Sequence, residues 1–83
     1  MKLLYVIFVL HHLKMSKTAY NRIKYVLAEK DKTSIYLASE LKVAAETVSS
    51  WCTNSSQPSI KRLFEIAKVL DVEVRSLLIS TKD

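Results

Sequence analysis

Residues 37–51 read LASELKVAAETVSSW, and the spacing of their apolar side chains decides the fold. Leu37, Ala38 and Leu41 share one face of a helix; Val43 follows a short break, and Val48 and Trp51 share one face of the next helix. Two helices of about two turns each, joined by a few residues, can cross steeply and enclose one small core. Only a small side chain fits where the two backbones come closest, which accounts for Ala38. Once Val48 and Trp51 point inward, the opposite face of their helix, Ala45, Glu46, Ser49 and Ser50, is turned outward and is free of bulk.

The same three- and four-residue steps continue on both sides. Ile23, Val26 and Leu27 predict a first helix over about residues 18–30, with Ser16 or Thr18 as its N-cap. Thr33 offers a cap for a second helix over about 34–41. The break at Lys42–Ala44 leads to a third over about 45–53, with Val48, Trp51 and Cys52 inward. Pro58 and Ser59 open a fourth helix whose inner side carries Ile60, Leu63, Ile66, Ala67 and Leu70. Asp71 interrupts it, and Val74, Leu77 and Leu78 form a last short helix. The expected fold class is therefore all-α, five short helices in one domain spanning residues 15–83.

The totals narrow the function. Eighty-three residues hold a modest core but no large enclosed active site. Thirteen basic against eight acidic residues give a net charge of +5, which favours an anionic partner such as nucleic acid or a membrane surface. The single cysteine excludes an internal disulfide. With the adjacent His11 and His12 it makes no metal-binding pattern, so no metal and no cofactor are expected. No Ser–His–acid or paired-carboxylate arrangement supports an enzyme.

Residues 1–14 differ from the rest, with an apolar run from Leu3 to Leu10 free of charge. The run is shorter than the roughly 20 residues a membrane span requires, and no small-residue cleavage site follows it. Two readings stay open. Met15 is the start and the head an extension the fold does not need, or the head is an edge strand that pairs with its own copy.

Together these residues resemble the lambda-repressor-like, XRE or Cro/repressor type of helix-turn-helix DNA-binding domain. The resemblance runs from Asn21 to Leu78 without gaps. It is carried by RIK at 22–24, LA at 37–38, Val43, TVSSW at 47–51, QPS at 57–59, LFEIAKVLDV at 63–72 and LL at 77–78. It implies a five-helix bundle that places the helix at 45–53 in the major groove of DNA. This chain also departs from the pattern. Lys42 stands where the family usually has glycine, Asn54 occupies another glycine position, and Ser34 replaces a frequent glutamine. Leu27 and Cys52 stand where many members pair an arginine with a glutamate. Replacing both partners of an ion pair by apolar groups is tolerated far better than leaving one charge alone.

The resemblance assigns base contacts to Ala45, Glu46 and Ser50: a methyl for thymine, a carboxylate for cytosine N4 and a hydroxyl that suits several edges. Residues 44–53 contain no lysine or arginine, so affinity is expected from phosphate contacts. These fall on Thr33 and Ser34, Thr47, Asn54, Ser55 and Ser56 at helix starts and their loops, assisted by Lys42, Lys61 and Arg62. One such domain reads only a few base pairs, and a homodimer is expected through Val74, Leu77, Leu78 and Ile79. The leading expectation is a cytoplasmic, sequence-specific regulator, most simply a repressor. Its rivals are an antitoxin or restriction-system controller whose main partner is a protein, and a regulator attached to a membrane through residues 3–10. Cys52 as a redox sensor finds no support in its chain neighbours, Trp51, Thr53 and Asn54.

Overall fold

The computed structural model describes residues 18–82; the expectations for residues 1–14 and for Ser16 lie outside them. Four α-helices follow in order: α1 (Ile23–Glu29), α2 (Ser34–Leu41), α3 (Ala45–Cys52) and α4 (Ile60–Leu70). A single 3-10 turn, Val74–Leu77, takes the place of the expected fifth helix. Ile23, Val26, Leu27, Leu37, Ala38, Val48, Trp51, Leu63, Ile66, Ala67, Leu70 and Leu77 form one core. Val43 and Cys52 pack against its edge.

Two helix starts are made as the sequence predicts. The Thr33 hydroxyl accepts from the Tyr36 N–H at 3.0 Å, and the Ser59 hydroxyl accepts from the Arg62 N–H at 3.1 Å. Each such cap is worth about 1 kcal/mol. The first helix is shorter than expected, and Thr18 does not cap it. Residues 20–22 are instead drawn against the far end of the chain: Arg22 N–H donates to the Leu77 carbonyl at 2.7 Å, and Ile79 N–H to the Tyr20 carbonyl at 2.9 Å. This short antiparallel bridge between Asn21 and Leu78 holds the chain out of the helix until Ile23. The Ile23 N–H is met by the side-chain oxygen of Asn21.

All four α-helices end in the same manner, in a chain that has no glycine. Asp31, Lys42, Asn54 and Asp71 each adopt a left-handed conformation with φ between 56° and 60°. After each, the next N–H reaches back to a carbonyl of the last turn: Lys32 to Leu27, Val43 to Ala38, Ser55 to Ser50 and Val72 to Ala67. This is the Schellman closure, normally made by glycine. Asn and Asp tolerate it because their short polar side chains bond locally. Lys42 has no such excuse.

Two apolar expectations are corrected. Ile60 is 70 % exposed rather than inward. It lies beyond the core end of α4, whose buried arc runs through Leu63, Ile66, Ala67 and Leu70, and shares an outer flank with the exposed Phe64 one turn on. Leu77, expected at a dimer surface, is 0 % exposed. The 3-10 turn drives it into the core, and Val74 is half-buried beside it, leaving Leu78 and Ile79 as the exposed pair.

Candidate nucleic-acid interface

The Val48 and Trp51 side chains are buried and hold α3 by one face. On the other face Ala45, Glu46, Thr47 and Ser49 are exposed, with Ser50 half-buried. Lys42 sets the crossing, because its left-handed conformation turns the chain sharply between α2 and α3. The start of α3 carries no side-chain cap, since Ala44 stands in the capping position. Its first turn holds the acidic Glu46, favourably placed against the partial positive charge of a helix N-terminus.

The other end of α3 is fastened far more heavily. The Ser50 carbonyl accepts from the N–H groups of Ser55 at 2.9 Å and Ser56 at 3.3 Å, and from the Thr53 hydroxyl at 3.2 Å. The Ser50 and Ser56 hydroxyls pair at 2.6 Å, and those of Thr53 and Ser55 at 2.8 Å. The loop after α3 thus folds back onto the helix's last turn. The expected base-reading hydroxyl of Ser50 is already engaged within the protein.

The expected phosphate contacts divide into two groups. Thr33, Lys42, Thr47, Ser55, Ser56 and Lys61 are exposed, and Ser34 is half-buried at the start of α2. Arg62 is half-buried and ion-paired with Glu65 at 2.8 Å. Asn54 is committed inward: its N–H donates to the Trp51 carbonyl, and its side-chain oxygen accepts from the N–H groups of Tyr20 at 2.9 Å and Asn21 at 3.1 Å.

An open groove of about 270 Å³ lies between α1, the start of α2 and the end of α3, lined by Lys24, Leu27, Ala28, Lys32, Ser34, Cys52 and Thr53. It brings together two basic residues, Lys24 and Lys32, that sequence reasoning did not single out. Lys32 caps the Tyr36 ring at 4.7 Å. Nothing in the spacing of Lys24 marks it; only the packing of α1 across α3 carries it to Cys52. Burial pushes the Cys52 thiol above its ordinary value, and the Lys24 ammonium draws it partly back. Among the described residues no group of His, Cys, Asp and Glu is placed to hold a metal ion, and no helix is long and apolar enough to cross a membrane.

A solved structure from Bacteroides fragilis, described as a "putative DNA-binding protein", is similar to this chain at 46% identity and a TM-score of 0.71. The match covers 71% of this chain and 95% of that one. No curated protein matches. The family model described as helix-turn-helix matches residues 23–77, from the first residue of α1 to the last of the 3-10 turn. With its α2–α3 pair and an α3 face that no described element covers, the chain belongs to the XRE-type helix-turn-helix family.

Proposed function

We propose that this protein is a sequence-specific double-stranded DNA-binding regulator of transcription that lays α3 in the major groove and acts as a homodimer, most simply a cytoplasmic repressor. One observation carries the reading. The face of α3 opposite Val48 and Trp51 holds small and polar side chains, Ala45, Glu46, Thr47 and Ser49, with no described element over it. The family membership and the relative described as DNA-binding support it.

Ala45 and Glu46 carry the base reading, and Ser50 joins them by exchanging its bond to Ser56 for one to a base edge. Thr33, Ser34, Thr47, Ser55, Ser56, Lys42 and Lys61 form the phosphate rim, and Lys24 and Lys32 add charge at the groove. Leu78 and Ile79 remain the dimer candidates at the C-terminus. The exposed pair Ile60 and Phe64 is the feature that favours the second reading, a controller or antitoxin whose main partner is a protein.

Selection from a random duplex pool tests the proposal. Enrichment of a two-fold site with half-sites about 34–36 Å apart is expected, with affinity falling steeply as salt rises. Glu46→Ala should change the preferred bases while leaving affinity for unrelated duplex unchanged. An equal loss on all sequences would remove Glu46 from the reading surface.

A further inference from the structure

Three amide side chains meet where α3 ends. Asn54 uses its side-chain oxygen to accept from Tyr20 N–H, Asn21 N–H and the Gln57 amide nitrogen, the last at 3.0 Å. Its own amide nitrogen donates to the Asn21 carbonyl at 3.2 Å. Asn21, the one buried polar residue of the described chain at 3 % exposure, donates to the Trp51 carbonyl at 3.0 Å and to the Gln57 side-chain oxygen at 2.7 Å. Its remaining oxygen takes the Ile23 N–H at 3.0 Å.

The Asn54 side chain therefore satisfies the outer edge of residues 20–21 as a neighbouring strand would. The inner edge of the same segment is paired with Leu77 and Ile79, and the Arg22 guanidinium adds a bond to the Ser76 carbonyl. Asn54 is also the left-handed pivot about which the loop folds back on Ser50. The last turn of α3 and the loop bearing the hydroxyls of Thr53, Ser55 and Ser56 are thereby bonded through Asn54 to residues 20–21.

We infer that Asn54, held by Asn21 and Gln57, is a positioning residue that fixes the tilt of α3 and of its following loop for sequence-specific reading; this rests on the DNA-binding reading above. A glycine would serve the backbone at φ 60° with less strain, but would make none of these side-chain bonds. Asparagine here exchanges conformational ease for a fixed orientation. Base readout depends on placing small side chains to within roughly 0.5 Å, whereas non-specific attraction depends on charge. Asn54 is uncharged, so its loss separates the two.

The experiment compares wild type with Asn54→Gly, which keeps the left-handed pivot and so the fold. A duplex site is first selected with the wild-type protein. Both proteins are then titrated with that site and with a scrambled duplex, and amide hydrogen exchange is recorded at Tyr20 and Asn21. The expected result is a loss of about tenfold on the selected site, unchanged binding to the scrambled duplex, and faster exchange at Asn21. Gln57→Ala, at an exposed position, should show the same split to a smaller degree. If the wild type enriches no site, the DNA-reading proposal fails and this inference with it. If it enriches a site that Asn54→Gly binds equally well, or if both duplexes weaken alike, the inference alone fails. Unaltered exchange at Asn21 would also overturn it.

Discussion

Lys42 and Asn54 flank α3 with nearly the same backbone, φ 59° before the helix and φ 60° after it. Both stand at positions where the family resemblance expects glycine, and both close the preceding helix with a bond back to its last turn. Their side chains differ completely. Lys42 is exposed, and its left-handed backbone carries a steric cost of roughly 1–2 kcal/mol for an L-residue. Asn54 adopts the same conformation and turns its side chain into four hydrogen bonds within the protein. The same strained geometry is a plain cost at one end of α3 and a fastening at the other. The turn into the helix needs only its shape, whereas the loop leaving the helix is tied to residues 20–21, distant in the chain.

The amide cluster behind the Asn54 fastening is most vulnerable at Asn21. Asn21→Ala removes the buried end of the amide cluster, taking a partner from the Ile23 N–H and the Gln57 side-chain oxygen and leaving the Trp51 carbonyl only the Asn54 N–H. Losing two or three such bonds should cost about 2–3 kcal/mol, read as a lower midpoint in urea unfolding. A change under about 0.5 kcal/mol, the size of an ordinary surface effect, would mean that water replaces the cluster without penalty.

Lys42→Gly should act in the opposite sense, raising stability by about 1 kcal/mol through relief of the left-handed backbone. For a domain of this size that is a rise in Tm of roughly 4–8 °C. Asn54→Gly gains less relief, since asparagine tolerates this backbone better than lysine, and also loses its bonds, so it should stabilise less than Lys42→Gly or destabilise outright. Equal gains at the two sites would mean that the Asn54 side chain fastens nothing.

A smaller effect is expected at the loosely held start of α3. Ala44→Ser places a hydroxyl where no side chain caps the helix and should add about 0.5–1 kcal/mol, measured by thermal unfolding. No gain would show that the extended backbone at Ala44 aims the new hydroxyl away from the first turn.

The smallest effect concerns Cys52, whose thiol is raised by burial and only partly drawn back by Lys24. A raised folded value means that the unfolded chain ionises first. Stability from this group is thus intact below the usual thiol value and declines as pH climbs through it. Cys52→Ser should flatten that alkaline decline. Thiolate absorbance followed against pH in the folded protein should rise later than in the urea-unfolded chain.

Much of the fold was legible in local pattern. Leu37, Ala38, Val48 and Trp51 are inward as their spacing requires, and Thr33 and Ser59 cap their helices because the signal lies within one turn of the chain. Ile60 was misplaced because an apolar stripe gives the centre of a buried arc but not where the core beneath it stops. Leu77 was misplaced because nothing local tells a core-filling leucine from one awaiting a partner. At the candidate site, the outward face of α3 was readable from its inward one. The inward commitment of Asn54 and the approach of Lys24 to Cys52 were not, since each joins residues that are far apart in the chain.

Local pattern alone settles α2, α3 and α4, the caps at Thr33 and Ser59 and the outward face of α3, because periodicity, capping and side-chain size act over a few residues. The sequence also requires any left-handed helix end to be made by a residue other than glycine, since none is present. The pairing of residues 20–22 with 77–79, and the drawing of Asn54 between that segment and α3, arise only once the helices pack together. Hydrogen bonds spanning 33 residues from Asn21 to Asn54 and 54 from Arg22 to Ser76 leave no local trace, because their partners are chosen by how the helices pack and not by what lies beside them in the chain.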